Sequence, residues 1–79
     1  MANKTEEKIK KILSRSLGVT KKELADGASF ESDLNADPIE LKEAISQVFE
    51  EFGVEEERKF KTVGELINFI KDHLDEIEE

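Results

Sequence analysis

The sequence contains no cysteine, tryptophan or tyrosine, and only one proline, Pro38, among its 79 residues. Without cysteine, disulfide bonds, thiolate metal sites and thiol catalysis are excluded. No apolar run approaches the roughly 20 residues that a membrane-spanning helix needs, and the polar N-terminus has no secretory hydrophobic region. We therefore expect a cytoplasmic protein that does not insert into membranes.

The residue patterns of common catalytic and metal sites are also missing. His73 is the only histidine, and near a helix end a solvated structural histidine is far commoner than a general base. The serines have no visible base that would activate them. Segment 33–37 alternates like a calcium loop, but Pro38 and Ala44 stand where an EF-hand needs glycine and glutamate. We therefore predict neither an enzyme nor a metal site.

Charge is abundant but unevenly distributed, with 41% charged residues and a net charge of −8. Residues 1–22 contain seven basic and two acidic side chains, whereas residues 23–79 contain five basic and eighteen acidic ones. Such a surface repels nucleic acid and anionic membranes and attracts basic protein surfaces. A solvated surface that only aids solubility would have the same composition. The basic N-terminal segment has no interleaved aromatic residues, so we predict no nucleic-acid binding.

Two outer segments have the apolar spacing of amphipathic helices. The first runs from about Lys4 to Leu17 and ends before Gly18, a residue that suits the left-handed position after a helix. The last begins at the capping-box sequence of residues 62–65, and its apolar stripe reaches Leu74. Segment 18–36 between the first two helices is regularly apolar without a long period. We predict an ordered loop that packs on the core, since long structureless loops are unusual in compact domains.

The middle helix begins in the sequence DPIE. Asp37 is a good N-cap, Pro38 occupies the first helical position, where a missing N–H has no cost, and Glu40 can reach back from the third. Gly53 ends this helix. Between Val54 and Lys61 there is room for one short helical turn at most. Phe60 is the aromatic residue that we expect to anchor this segment to the core.

The whole chain resembles the acyl carrier protein family. It has LGVTKKEL at 17–24, ASFESDLNADPIEL at 28–41, FEEFGV at 49–54 and KTVGELINFI at 61–70, in the family's order and spacing. The resemblance implies an all-α, right-handed four-helix bundle with three long helices and one short one, formed as a single domain by residues 1–79. It also implies partners that dock a basic patch onto the second helix.

The same resemblance identifies a missing cofactor site. In the family, a serine directly after the aspartate carries 4′-phosphopantetheine through a phosphodiester, and this chain has Pro38 at that position. Proline has no hydroxyl, so we predict no attached cofactor there. Asn35 replaces a family glycine, Lys42 and Ser46 replace residues that are usually apolar, and the loop after Phe52 is shorter than usual.

Three functional hypotheses follow. The leading one is a monomeric, non-covalent interaction or regulatory module, linked to fatty-acid or polyketide-type biosynthesis, that binds basic surfaces of proteins such as acyl-chain biosynthesis enzymes. The second is a carrier protein modified at another serine, such as Ser32. The third is an engineered or degenerate carrier fold without carrier activity. The residues predicted to bind partners are Asp37, Ile39, Glu40, Glu43, Glu50 and Glu51.

Overall fold

The computed structural model describes residues 4–56 and 58–77, with side chains described to Leu74. Three α-helices dominate it: α1 is Lys4–Leu17, α2 is Pro38–Phe52 and α3 is Val63–Ile77. A short 3₁₀ turn, Lys21–Glu23, follows α1. The described residues form no strand beyond one isolated β-bridge, so the predicted all-α class is confirmed. No helix among them is long and apolar enough to cross a membrane.

The start of α2 and the ends of both α1 and α2 are determined by local backbone chemistry. Gly18 and Gly53, directly after α1 and α2, both have φ of +68°, a conformation that glycine adopts without a Cβ clash. The Gly18 N–H donates to Ser14 O at 2.9 Å. At the start of α2, Asp37 Oδ1 accepts the Ile39 N–H at 2.8 Å. The predicted bounds of α1 and α2 are therefore confirmed. Asn3, which with Glu6 three residues later forms a capping-box pattern in the sequence, lies outside the described residues.

The core consists of apolar side chains from all three helices, from the loop before α2 and from Val54 after it. No charged or polar residue among the described ones is buried, which matches the amphipathic helices that the apolar spacing predicts. The residues with the largest fully buried side chains are Phe30, Ile9, Leu13, Leu24, Leu66, Ile70, Val48 and Val63.

The long loop before α2 is ordered and attached to the start of α3. The Phe30 N–H donates to Lys61 O at 3.0 Å, and the Val63 N–H donates to Ala28 O at 3.0 Å, around an antiparallel bridge between Ser29 and Thr62. These bonds and the buried Phe30 ring hold the loop against the core. The prediction of an ordered loop is confirmed.

Gly64, the second residue of α3, lies against the backbone of this loop. Its N–H donates to Asp26 O at 2.8 Å, and a Cβ at this position would lie 2.7 Å from the same oxygen. Only glycine fits without displacing the loop. The capping pattern of residues 62–65 predicts a helix start but does not reveal this contact.

The fourth, short helix implied by the family resemblance is not confirmed. Residues 54–56 and 58–61 form no helical turn. Aromatic contacts hold this segment instead: the Phe60 ring lies 6.1 Å from Phe49 and 5.6 Å from Phe69, measured between centroids. The Arg58 guanidinium lies 4.9 Å from the centroid of the Phe69 ring. Side-chain packing against α2 and α3 therefore holds the described part of this connection.

Candidate functional site: the start and outer face of α2

The start of α2 presents three consecutive exposed residues. Asp37 uses Oδ1 to cap the helix, Pro38 follows as the first helical residue, and the Ile39 side chain is 72% exposed. Pro38 therefore lies at an accessible helix N-terminus. Its ring has no hydroxyl, so no atom of this residue can form a phosphodiester.

The turn that leads into α2 uses a left-handed residue. Asn35 has φ of +55°, the only positive φ of a non-glycine residue in the described chain. Asparagine tolerates this region better than most side chains. The Ala36 N–H donates to Phe30 O at 2.8 Å. This bond ties the residue before Asp37 to the buried part of the loop. The loop thus forms a left-handed turn at the residue where the family resemblance expects glycine.

One side of α2 forms a continuous exposed row, which we call the outer stripe: Ile39, Glu43, Ser46 and Glu50. The last three residues lie four, seven and eleven positions after Ile39, a spacing that places all four on one side of a helix with 3.6 residues per turn. All four are exposed. The stripe combines one apolar side chain with two carboxylates about 10 Å apart along the helix axis.

The structure separates the six predicted partner-binding residues into groups. Ile39, Glu43 and Glu50 lie together on the outer stripe, whereas Glu40 and Glu51 lie roughly a quarter turn around the helix. Glu51 Oε2 there pairs with Lys8 Nζ at 2.9 Å. Asp37 is exposed but also serves as the N-cap. Sequence spacing alone did not reveal that a cation from α1 partly neutralises Glu51.

The sequence is similar to known acyl carrier proteins along most of its length. The chain is 40% identical over 70 residues to an acyl carrier protein of Lactobacillus acidophilus, an alignment that covers 84% of this chain and 88% of that protein. It is 38% identical over 74 residues to an acyl carrier protein of Clostridium acetobutylicum, covering 89% and 96%. The chain belongs to the acyl carrier protein family. No protein-family model matches it.

Membership in the acyl carrier protein family agrees with the absence of catalytic machinery in the sequence. Acyl carrier proteins are carriers rather than enzymes, so the prediction that this chain is not an enzyme is confirmed. The described residues also contain no group of three or more histidine, aspartate and glutamate side chains that could hold a metal ion.

Pro38, at the start of α2, has no hydroxyl oxygen that could be joined to 4′-phosphopantetheine, the group that the family resemblance implies at this position. The hydroxyl suggested as a substitute, that of Ser32, is exposed but lies in a different setting. The Ser32 N–H donates to Ser29 Oγ at 3.2 Å, and the Ser29 N–H donates to Asp33 Oδ2 at 2.7 Å. Ser32 therefore belongs to a hydrogen-bonded turn in the loop rather than to a helix N-terminus.

Proposed function

We propose that this member of the acyl carrier protein family is a non-covalent interaction or regulatory module linked to fatty-acid or polyketide-type biosynthesis. It docks on basic surfaces of biosynthetic enzymes and carries no acyl group. The observation that carries this proposal is Pro38, an exposed residue without a nucleophile at the helix start where the family resemblance expects the attachment serine.

The outer stripe supports docking. Ile39 is the one large hydrophobic side chain that is exposed in the described part of the chain. An exposed aliphatic residue beside carboxylates suits a partner with a small apolar pocket rimmed by lysine and arginine. The apolar contact provides affinity, while the charges increase the association rate and orient the complex.

The proposal is tested by intact-protein mass spectrometry after incubation with coenzyme A and a broad-specificity phosphopantetheinyl transferase. We expect no change in mass for this protein, while the Clostridium acetobutylicum relative serves as the control for transferase activity. The variant Pro38→Ser is expected to gain one phosphopantetheine at least slowly, because the cap at Asp37 and the rest of the helix start are retained. A gain by the unmodified sequence, mapped to Ser32 or any other serine, contradicts the proposal.

A further inference from the structure

A second charged surface lies away from the outer stripe. It is an open groove of about 500 Å³, lined by the first half of α1, the 3₁₀ turn and the end of α2. We call it the basic groove; its charged and aromatic lining residues are Lys4, Glu7, Lys8, Lys11, Lys21 and Phe52.

Both local and long-range structure assemble this groove. Lys4, Lys8 and Lys11 are four and seven positions apart and therefore lie on one face of α1. Lys21 comes from the 3₁₀ turn, and Phe52 comes from the last residue of α2. The fold thus brings four of the six lysines of residues 1–22 to one surface.

Most of the positive charge in the basic groove has no ion-pair partner among the described residues. Lys8 is the exception: it pairs with Glu51 at 2.9 Å and lies 6.0 Å from the centroid of the Phe52 ring. Within the described residues, Lys4, Lys11 and Lys21 make no ion pair. Glu7 offsets only part of the charge. A cluster of unpaired ammonium groups beside a half-buried aromatic ring is complementary to an anion that carries apolar surface.

We infer that the basic groove binds an acidic segment of another protein that also bears an apolar side chain. The carboxylates would pair with Lys4, Lys11 and Lys21, and the apolar side chain would cover the Phe52 ring. The groove is open, whereas small-molecule sites enclose most of their ligand, so an extended polypeptide fits it better.

Nucleic acid fits the same surface less well. A polynucleotide extends beyond a groove of this size and would meet residues 23–79, which contain eighteen acidic and five basic side chains. Its phosphates would be repelled there. The groove also offers one aromatic ring and no arginine, fewer stacking groups than single-strand-binding surfaces use. A short acidic segment avoids both problems because its charge can be confined to the groove.

This inference goes beyond the proposed function and does not depend on it. The outer stripe is suited to a basic partner and the basic groove to an acidic one. The protein could therefore hold two proteins of opposite surface charge at once. Loss of either interaction would leave the other measurable.

The experiment is a ¹⁵N NMR titration of the full chain at low salt with the acetylated, amidated peptide EEDLEDE. Two comparison titrations use the uncharged peptide QQNLQNQ and a single-stranded DNA heptamer. We expect the acidic peptide to shift the backbone amides of Lys8, Lys11, Lys21 and Phe52, with an affinity that falls as salt is added. The uncharged peptide is expected to cause no such shifts. Acidic-peptide shifts that map outside the groove, or tighter binding of the DNA, would overturn the inference.

A pair of matched double variants tests the lysines themselves. Lys11→Gln with Lys21→Gln removes two charges from the groove, whereas Lys22→Gln with Lys42→Gln removes two exposed charges outside it. We expect the groove variant to bind the acidic peptide about fivefold more weakly, as two exposed ion pairs are lost. The control variant should change binding by less than about twofold. Equal weakening in both would show that only net charge matters and would refute a specific site.

Discussion

Reversing the charges of Glu43 and Glu50 is the most direct test of the outer stripe. Both side chains are exposed, and neither makes an ion pair among the described residues. Each exposed ion pair with a partner is worth up to about 1 kcal/mol. Glu43→Lys combined with Glu50→Lys removes two such pairs and makes both sites repulsive toward a basic surface. We expect association to slow by about tenfold at low salt, with a smaller effect on dissociation.

The measurement is the association rate by surface plasmon resonance. Acyl-chain biosynthesis enzymes with a basic docking patch are first compared for binding to the wild type. The enzyme that binds most tightly is then used as the immobilised partner. In about 20 mM salt the difference between variant and wild type should be largest, and it should shrink at physiological ionic strength, where the Debye length is about 8 Å. This salt dependence distinguishes an electrostatic effect from a packing defect.

A matched control separates the location of the charges from their number. Glu55→Lys combined with Asp72→Lys changes the net charge by the same amount, at exposed positions outside α2. We expect this control to slow association less than the stripe variant. Both variants should unfold within about 0.5 kcal/mol of the wild type, since exposed substitutions rarely change stability by more. If the stripe variant associates as fast as the wild type at low salt, the outer stripe is not the docking surface.

Three further predictions concern stability. Asp37→Ala removes the 2.8 Å hydrogen bond from the Ile39 N–H and should lower the free energy of unfolding by about 1 kcal/mol in urea titrations. Asp37→Asn should retain most of the stability that the cap provides. An unchanged urea midpoint for the alanine variant would mean that the cap contributes little. Gly64→Ala places a Cβ 2.7 Å from Asp26 O and should lower the free energy of unfolding by roughly 1–3 kcal/mol. The control is Gly27→Ala, at an exposed position where an added Cβ has no neighbouring atom within 4 Å. The eighteen acidic residues of segment 23–79 repel one another, so millimolar Mg²⁺ or about 0.2 M salt should raise the melting temperature; a constant melting temperature across the titration would refute appreciable electrostatic strain.

The bounds of α1 and α2 could be predicted because their signals act within a few residues. At the start of α2, the aspartate side chain accepts a hydrogen bond from one unpaired N–H group, and the proline has no N–H that would need a partner. Gly18 and Gly53 supply the positive φ that ends a helix. The family resemblance was also readable, because its motifs are contiguous segments in a constant order. Comparison with two acyl carrier proteins confirms it.

Other features depend on residues that are distant in the sequence. Gly64 is required because residue 26 passes beside it, and the segment after α2 is held by Phe60 packing on Phe49 and Phe69 rather than by a helical turn. Helix spacing could place charges on a face of α2 but could not show that Lys8 of α1 would neutralise Glu51.

The basic groove is the clearest case of a surface that only the tertiary structure decides. Its residues belong to two helices and a turn, and Phe52 lies more than thirty positions from Lys4, Lys8 and Lys11. Caps, turns and amphipathic faces arise from hydrogen bonds and burial over one or two helical turns, so a single sequence reveals them. A groove between elements depends on how those elements pack, which is determined by the fit of the whole core.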